Sequence, residues 1–285
     1  MTSAPMPFDE PAATPSAETA PCGISNSEIP TAEPLALTGE VDSAVLAQMR
    51  NDWDERAREN ARHYIATGQE QWDDREFFRS GEINVANEVM PEMARVCQGT
   101  RSPYDLSMLE IGCGVGRMTR ALARIFGHVT AVDVSPEMIE GARANLRDCP
   151  NVTLVLGDGA TLPGVPSESQ DFAFSFIVFQ HIPGVEVITS YCREVFRVLR
   201  PGSLFRFQVL GIPRTEESPP INTWSGVSLS ESDVAALASA TGLILEGTQG
   251  AGTQYFWLTF RRPFEQPAPP PEAPASVEAA APEAA

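Results

Sequence analysis

The chain has no lysine. All twenty of its basic residues are arginine, so Schiff-base catalysis and every other reaction that needs a lysine amine is excluded. Cysteine is scarce and scattered: Cys22, Cys97, Cys113, Cys149 and Cys192 are odd in number and form no C-x-x-C pair. That pattern speaks against a disulfide framework and against a zinc site, and it fits a reduced, cytoplasmic compartment. Long apolar runs are missing too. The longest, Phe172 to Phe179, contains Ser175 and falls far short of the ~20 residues of a membrane-crossing helix. The opening residues have neither a basic n-region nor an apolar h-region, so no secretory signal is expected. Positive charge is the last shortage. A formal charge of −18 leaves no electrostatic footprint for a phosphate backbone, so neither nucleic acid nor a bilayer is an expected partner.

Composition divides the 285 residues into four parts. Residues 1–42 are rich in Pro, Ala, Ser, Thr and Glu and hold too little apolar surface to offset chain entropy, which predicts a disordered tail. Residues 263–285 repeat that composition. Seven acids precede Arg50, the first basic residue, and four follow Phe264, so the intervening chain lies much nearer neutrality. Residues 43–100 read as a helical cap. One helix runs from about Val41, capped by Asp42 or Ser43, to Gly68; a second piece covers Glu70 to Arg79, and a third, Ile83 to Val96, bends at Pro91. Residues 101–262 alternate strand and helix patterns, the signature of an α/β domain.

The most informative stretch is Met108 to Pro136. An apolar run, Leu109 to Ile111, carries Glu110 and breaks into Gly112-Cys113-Gly114-Val115-Gly116. It resumes with Met118, Ala121, Leu122 and Ile125 at helical spacing. A second strand, His128 to Val132, ends on Asp133 and Val134. Strand, glycine turn, helix, strand and terminal acid form the first half of a nucleotide-binding crossover. The turn lets backbone amides approach a ligand, and the acid can accept both ribose hydroxyls. A dinucleotide fingerprint places its third glycine three residues after the second, where this chain has Arg117, so the spacing argues against NAD.

With Glu110, Gly112, Gly114 and Gly116 in the order acid, glycine, any, glycine, any, glycine, the segment resembles motif I of the class I S-adenosylmethionine-dependent methyltransferases. The resemblance extends over roughly Tyr104 to Arg261, through Leu199-Arg200-Pro201-Gly202-Ser203 and a closing antiparallel pair, Leu243 to Gly247 and Gln254 to Arg261. It implies a Rossmann-like, doubly wound, seven-stranded sheet with an antiparallel last strand, and S-adenosylmethionine as cofactor with S-adenosylhomocysteine as product. It also implies that Asp158, in Gly157-Asp158-Gly159 after the third strand, accepts from the adenine amino group. The cofactor set is therefore Glu110, Gly112, Cys113, Gly114, Gly116, Asp133, Val134, Asp158, Gly159 and Phe179, with Cys113 read as packing.

Acceptor chemistry rests on fewer residues. The fourth strand, Asp171 to Val178, opens onto Phe179, Gln180 and His181 at the carboxyl edge, where ligands sit in open α/β sheets. Of His63, His128 and His181, only the last lies at that edge, and it can be read as a general base or as a loop residue bonded to backbone. The helical cap offers Trp53, Tyr64 and Trp72 either as an amphipathic face or as a lid, since a sulfonium favours an aromatic face. Such an N-terminal cap is common among the small-molecule methyltransferases that the chain resembles. The irregular stretch after the fifth strand adds Arg214, Asn222 and Trp224, and the last hairpin adds Phe256 and Trp257. No metal is expected. The expected function is methyl transfer to a small molecule on O, N or C. The alternative is a catalytically silent module that binds the cofactor or its product.

Overall fold

The computed structural model describes residue 37 and residues 39–264; the two expected tails lie almost wholly outside the described residues. Seven strands, β1 (Ser107–Ile111), β2 (His128–Asp133), β3 (Val152–Leu156), β4 (Gln170–Ser175), β5 (Leu199–Val209), β6 (Ile244–Gln249) and β7 (Phe256–Arg261), form one sheet in the order β3-β2-β1-β4-β5-β7-β6. β1 to β5 are parallel, and β7 runs antiparallel to both β5 and β6. The order reverses between β1 and β4, which is where a doubly wound sheet opens a crevice at its carboxyl edge.

Helices α1 (Ser43–Ile65), α2 (Asp74–Glu88), α3 (Met93–Val96), α4 (Thr119–Leu122), α5 (Pro136–Asn145), α6 (Val185–Val198) and α7 (Glu231–Thr241) cover the sheet. Alternation along each strand sorts the core onto two faces. Leu109, Ile111, Ala173, Phe205 and Phe207 pack with Val187, Ile188 and Val195 of α6 and with Val234 and Leu237 of α7. Met108, Ala131, Phe172, Phe174 and Leu204 pack on the opposite face with Val85, Val89, Met93, Leu122 and Ile139. Glu110 alternates with Leu109 and so shares the second face, beneath Thr119 of α4.

Local chemistry explains several boundaries. Ser135 caps α5 with Pro136 at its first position, and Ser230 with Asp233 forms the expected capping box of α7, which closes on Gly242. Asp42 caps α1, whose backbone breaks at Asn60 (φ −166°, ψ 82°). The Asn60 side chain accepts from His63 N, capping the second arm, and donates to the carbonyl of Glu70.

Two boundaries depart from the sequence reading. α2 runs unbroken from Asp74 to Glu88, and the bend at Pro91 is a separate 3-10 turn, Met90–Glu92. Gly81 does not break the helix; it lets α2 press on the turn after β1, where a Cβ would stand 2.2 Å from the carbonyl oxygen of Arg117. β4 stops at Ser175 rather than Val178, because Ile177 takes a left-handed conformation (φ 55°) and its N–H is drawn to Oε1 of Gln208 at 3.1 Å. Positive φ is costly for a β-branched residue and marks a place where the fold holds the backbone under strain.

Candidate active site

The glycine turn is fixed to β2. Gly112 N and Cys113 N both donate to the carbonyl of Val132, at 2.7 and 3.0 Å, and Gly114 N donates to Oδ2 of Asp133 at 2.8 Å. Gly112 and Gly114 have φ of +76° and +54°, and a Cβ on either would strike a side chain, Val178 for the first and Ile65 for the second. Oδ1 of Asp133 accepts from Ser135 N at 3.0 Å. One carboxylate thus holds both the turn and the start of α5, and its remaining lone pairs face the cavity.

That cavity holds about 90 Å³ of space open to the centre of a water-sized sphere. Its wall includes Glu110, Gly112, Cys113, Gly114, Asp133 and Val134 from the sheet edge, Met49, Trp53, Tyr64 and Ile65 from α1, and Ile177, Val178, His181 and Tyr191 from the far side. Glu110 is only 4% exposed and Asp133 9%. Neither belongs to an ion pair among the described residues. Burial pushes Glu110 up to about 7 against the hydrogen bond from Thr119 Oγ1 (2.6 Å), and pushes Asp133 up to about 6 against its backbone donors. Burial likewise raises the Cys113 thiol, in keeping with its reading as packing.

His181 is buried in the same wall. Its Nδ1 lies 2.6 Å from the carbonyl of Trp224, which can only accept, so Nδ1 carries the proton. Nε2 then accepts from the amide of Gln180 at 3.1 Å, whose oxygen in turn accepts from Gln208 Nε2 at 2.6 Å. Desolvation lowers the imidazole to about 4. The ring is a neutral relay member that ties the loop after β4 to the Trp224 segment.

α1 closes the cavity. Trp53 meets His181 edge-on at 5.4 Å and Tyr64 meets Trp224 at 5.9 Å, while the Arg56 guanidinium lies over Trp53 and Trp224 at 4.8 and 5.4 Å. Arg56 also donates to Thr223 Oγ1 at 3.0 Å, and that hydroxyl donates to Asp52 Oδ2 at 2.5 Å. Asp54 reaches the other way, accepting from Ser135 Oγ at 2.5 Å and from Glu137 N at 3.3 Å at the N-terminus of α5. Asp52, Asp54, Arg56 and Thr223 carry no motif, and only the tertiary arrangement reveals them.

Beyond Ile177 the cavity meets a larger groove of about 670 Å³, with Tyr64, Ile65, Arg117, Phe176, Ile177 and His181 common to both walls. Trp72, Gln180, Arg214 and Trp224 face this groove rather than the inner cavity. Trp257 lines it too, whereas Phe256 is core.

Four members of the expected cofactor set stand outside the inner wall. Phe179 is fully buried among Tyr191, Phe205 and Phe207, because the 3-10 turn Phe179–His181 rotates it beneath the sheet edge. Gly116 packs under Leu146, and Gly159 packs against Leu46 of α1. The Asp158 carboxylate turns back on its own loop, accepting from Ala160 N at 2.9 Å, Thr161 N at 2.6 Å and the Thr161 hydroxyl, and these bonds hold it below the usual carboxylate range.

Residues 109–207 match the family model described as a methyltransferase domain. This match runs from β1 into β5. A 2-methyl-6-phytyl-1,4-hydroquinone methyltransferase of Synechocystis sp. is 30% identical over 43% of this chain and 37% of its own length. A probable S-adenosylmethionine-dependent methyltransferase of Mycolicibacterium smegmatis is 29% identical over 61% of this chain and 62% of its own. The chain thus spans less than two thirds of either relative. The DhpI–SAH complex, at 19% identity, shares the fold with a TM-score of 0.52 over 79% of this chain and 100% of that one. Among the described residues, no helix is long and apolar enough to cross a membrane and no cluster of three or more His, Cys, Asp or Glu side chains could hold a metal.

Proposed function

We propose that the chain transfers the methyl group of S-adenosylmethionine to a small-molecule acceptor. The inner cavity carries the reading: a space beside a glycine turn, walled by two buried carboxylates that form no ion pair among the described residues, the field of Arg117 favouring the charged form of Glu110. Such a wall fits a ligand with positive centres and a ribose diol. Glu110 would ionise against the ammonium end, and Asp133 would accept from the ribose hydroxyls. The hydroquinone methyltransferase relative supports a small acceptor.

When bound, the cofactor supplies an already activated methyl group. The protein's share is to bind, align and exclude water, and alignment can contribute roughly 7–11 kcal/mol. Trp53, held by Arg56, offers a ring edge and face in the cavity wall, where an aromatic stabilises a sulfonium by roughly 0.5–2 kcal/mol. His181 positions the loop rather than taking a proton, because its basic nitrogen is occupied and its imidazole is pushed down to about 4. This favours an acceptor that arrives ionised or sheds its proton to water after transfer.

Calorimetry with S-adenosylmethionine, S-adenosylhomocysteine and NAD tests the binding half. Micromolar binding of the first two without NAD is expected, and binding of NAD alone overturns the reading. A cofactor-binding module without turnover is the second reading, favoured by the same occupied imidazole. Release of S-adenosylhomocysteine in the presence of an acceptor pool separates the two.

A further inference from the structure

Arg117 is the residue that replaces the third glycine of a dinucleotide fingerprint, and its guanidinium sits at the seam of the two cavities. It is 6% exposed, forms no ion pair among the described residues, and its Nε is buried without a hydrogen-bond partner. Desolvation lowers it to about 10, with Glu110 alone opposing that shift. Its NH1 donates to Asn84 Oδ1 at 2.6 Å and to Ser80 Oγ at 3.2 Å. Both partners are neutral, and both line the outer groove but not the inner cavity, so the charged end is drawn to the groove side.

The helix face opposite tells the same story. Ser80, Ile83, Asn84, Asn87 and Glu88 of α2 are spaced as one stripe, i, i+3, i+4, i+7 and i+8, and all five line the groove. A groove-lining stripe on a helix is ordinarily apolar; here a hydroxyl, two amides and one acid share it with a single isoleucine, Ile83. Across from it stands an aromatic wall, with Phe176 and Trp257 stacked at 5.4 Å and nearly parallel, and Tyr255 alongside.

From this we infer that the groove is the acceptor site and takes a flat, unsaturated or aromatic carboxylate, with the ring against Phe176 and Tyr255, which Trp257 backs from the core, and the carboxylate on Arg117. The inference rests on the methyl-transfer reading. A monoanion suits the charges better than a phosphate dianion, because Glu88 lies on the same wall, paired only loosely with Arg206 at 3.6 Å. A guanidinium whose Nε has no partner of its own can grip a planar carboxylate with two donors, which an amide cannot reproduce.

The test uses protein saturated with S-adenosylhomocysteine and titrated with trans-cinnamate, trans-cinnamamide and phenyl phosphate. Cinnamate is expected to bind at least tenfold more tightly than the other two. Arg117→Gln should bring cinnamate and cinnamamide within twofold of each other. Should that variant fail to fold, Asn84→Asp places a compensating charge on the guanidinium and is expected to erase the same preference. Equal binding of cinnamate and cinnamamide to the unaltered protein overturns the proposal. So does a preference seen only without S-adenosylhomocysteine, which would assign Arg117 to the nucleoside's own carboxylate. A phenyl phosphate preference overturns the monoanion choice. If S-adenosylhomocysteine does not bind, the methyl-transfer reading fails, and the cinnamate comparison on the ligand-free protein still decides the role of Arg117.

Discussion

Glu110→Gln should make the ligand-free protein more stable and the binding site worse, by amounts fixed by the burial of one carboxylate. Folding raises Glu110 from 4.5 to about 7. The native state therefore holds a proton that the unfolded chain has already lost between those values, and stability falls as pH rises through that window. At ~1.36 kcal/mol per pH unit, the loss is about 3 kcal/mol by pH 8. For a domain of this size that corresponds to roughly 6–12 °C of melting temperature. Glutamine keeps an oxygen to accept from Thr119 and carries no charge to desolvate. The difference in melting temperature between variant and parent should be small at pH 4.5 and reach most of that span at pH 8, measured by calorimetric or fluorescence melts across the series. In the parent, a ligand bearing an ammonium group draws the remaining proton off, so binding at pH 7 should release about half a proton, detectable by titration in two buffers of different ionisation enthalpy. Parallel pH dependences for the two proteins, or binding without proton release at pH 6–7, refute the reasoning.

Three further outcomes are expected. His181 should remain the neutral Nδ1–H tautomer from pH 8 down to pH 5, read by nitrogen shifts of the imidazole, because its folded value near 4 lies below that range. Gly81→Ala should destabilise by about 1–3 kcal/mol in denaturant unfolding, since the new methyl meets the Arg117 carbonyl and α2 or the turn must give way. Binding of S-adenosylhomocysteine should change tryptophan emission in the parent and much less in Trp53→Phe, as only Trp53 among the tryptophans lines the inner cavity.

The sheet domain was readable because its signals are local. Glycines flanked by a strand and a helix, a Ser-Pro start, a Ser-x-x-Asp box and a pair of closing strands each announce themselves within a few residues, while the seven-stranded sheet with its antiparallel last strand is what the family resemblance implies. What escaped was decided at a distance. Phe179 and His181 sit two apart, yet the 3-10 turn sends one into the core and the other to the cavity. On the resemblance, Asp158 is expected to accept from the adenine amino group, and its bonds from Ala160 and Thr161 form only once the loop curls. The α1 contacts of Asp52, Asp54 and Arg56 join residues more than eighty apart, and ordinary helix-surface residues gave no cue to them. The sequence reading ends one helical piece at Arg79 and begins the next at Ile83; Gly81 lies between them and, pressed against Arg117, is what admits the continuous helix.

The placement of α2 also separates two tasks that share a single opening. Ile83, Asn87 and Glu88 line the groove and not the inner chamber, Ser80 and Asn84 of the same stripe reach the seam at Arg117, and Glu110, the glycine turn and Asp133 line only the inner chamber. Exchanging the side chains of that one helical stripe can therefore retune which molecule is received without disturbing the carboxylates beneath the turn, so selection can act on the recipient and the donor independently.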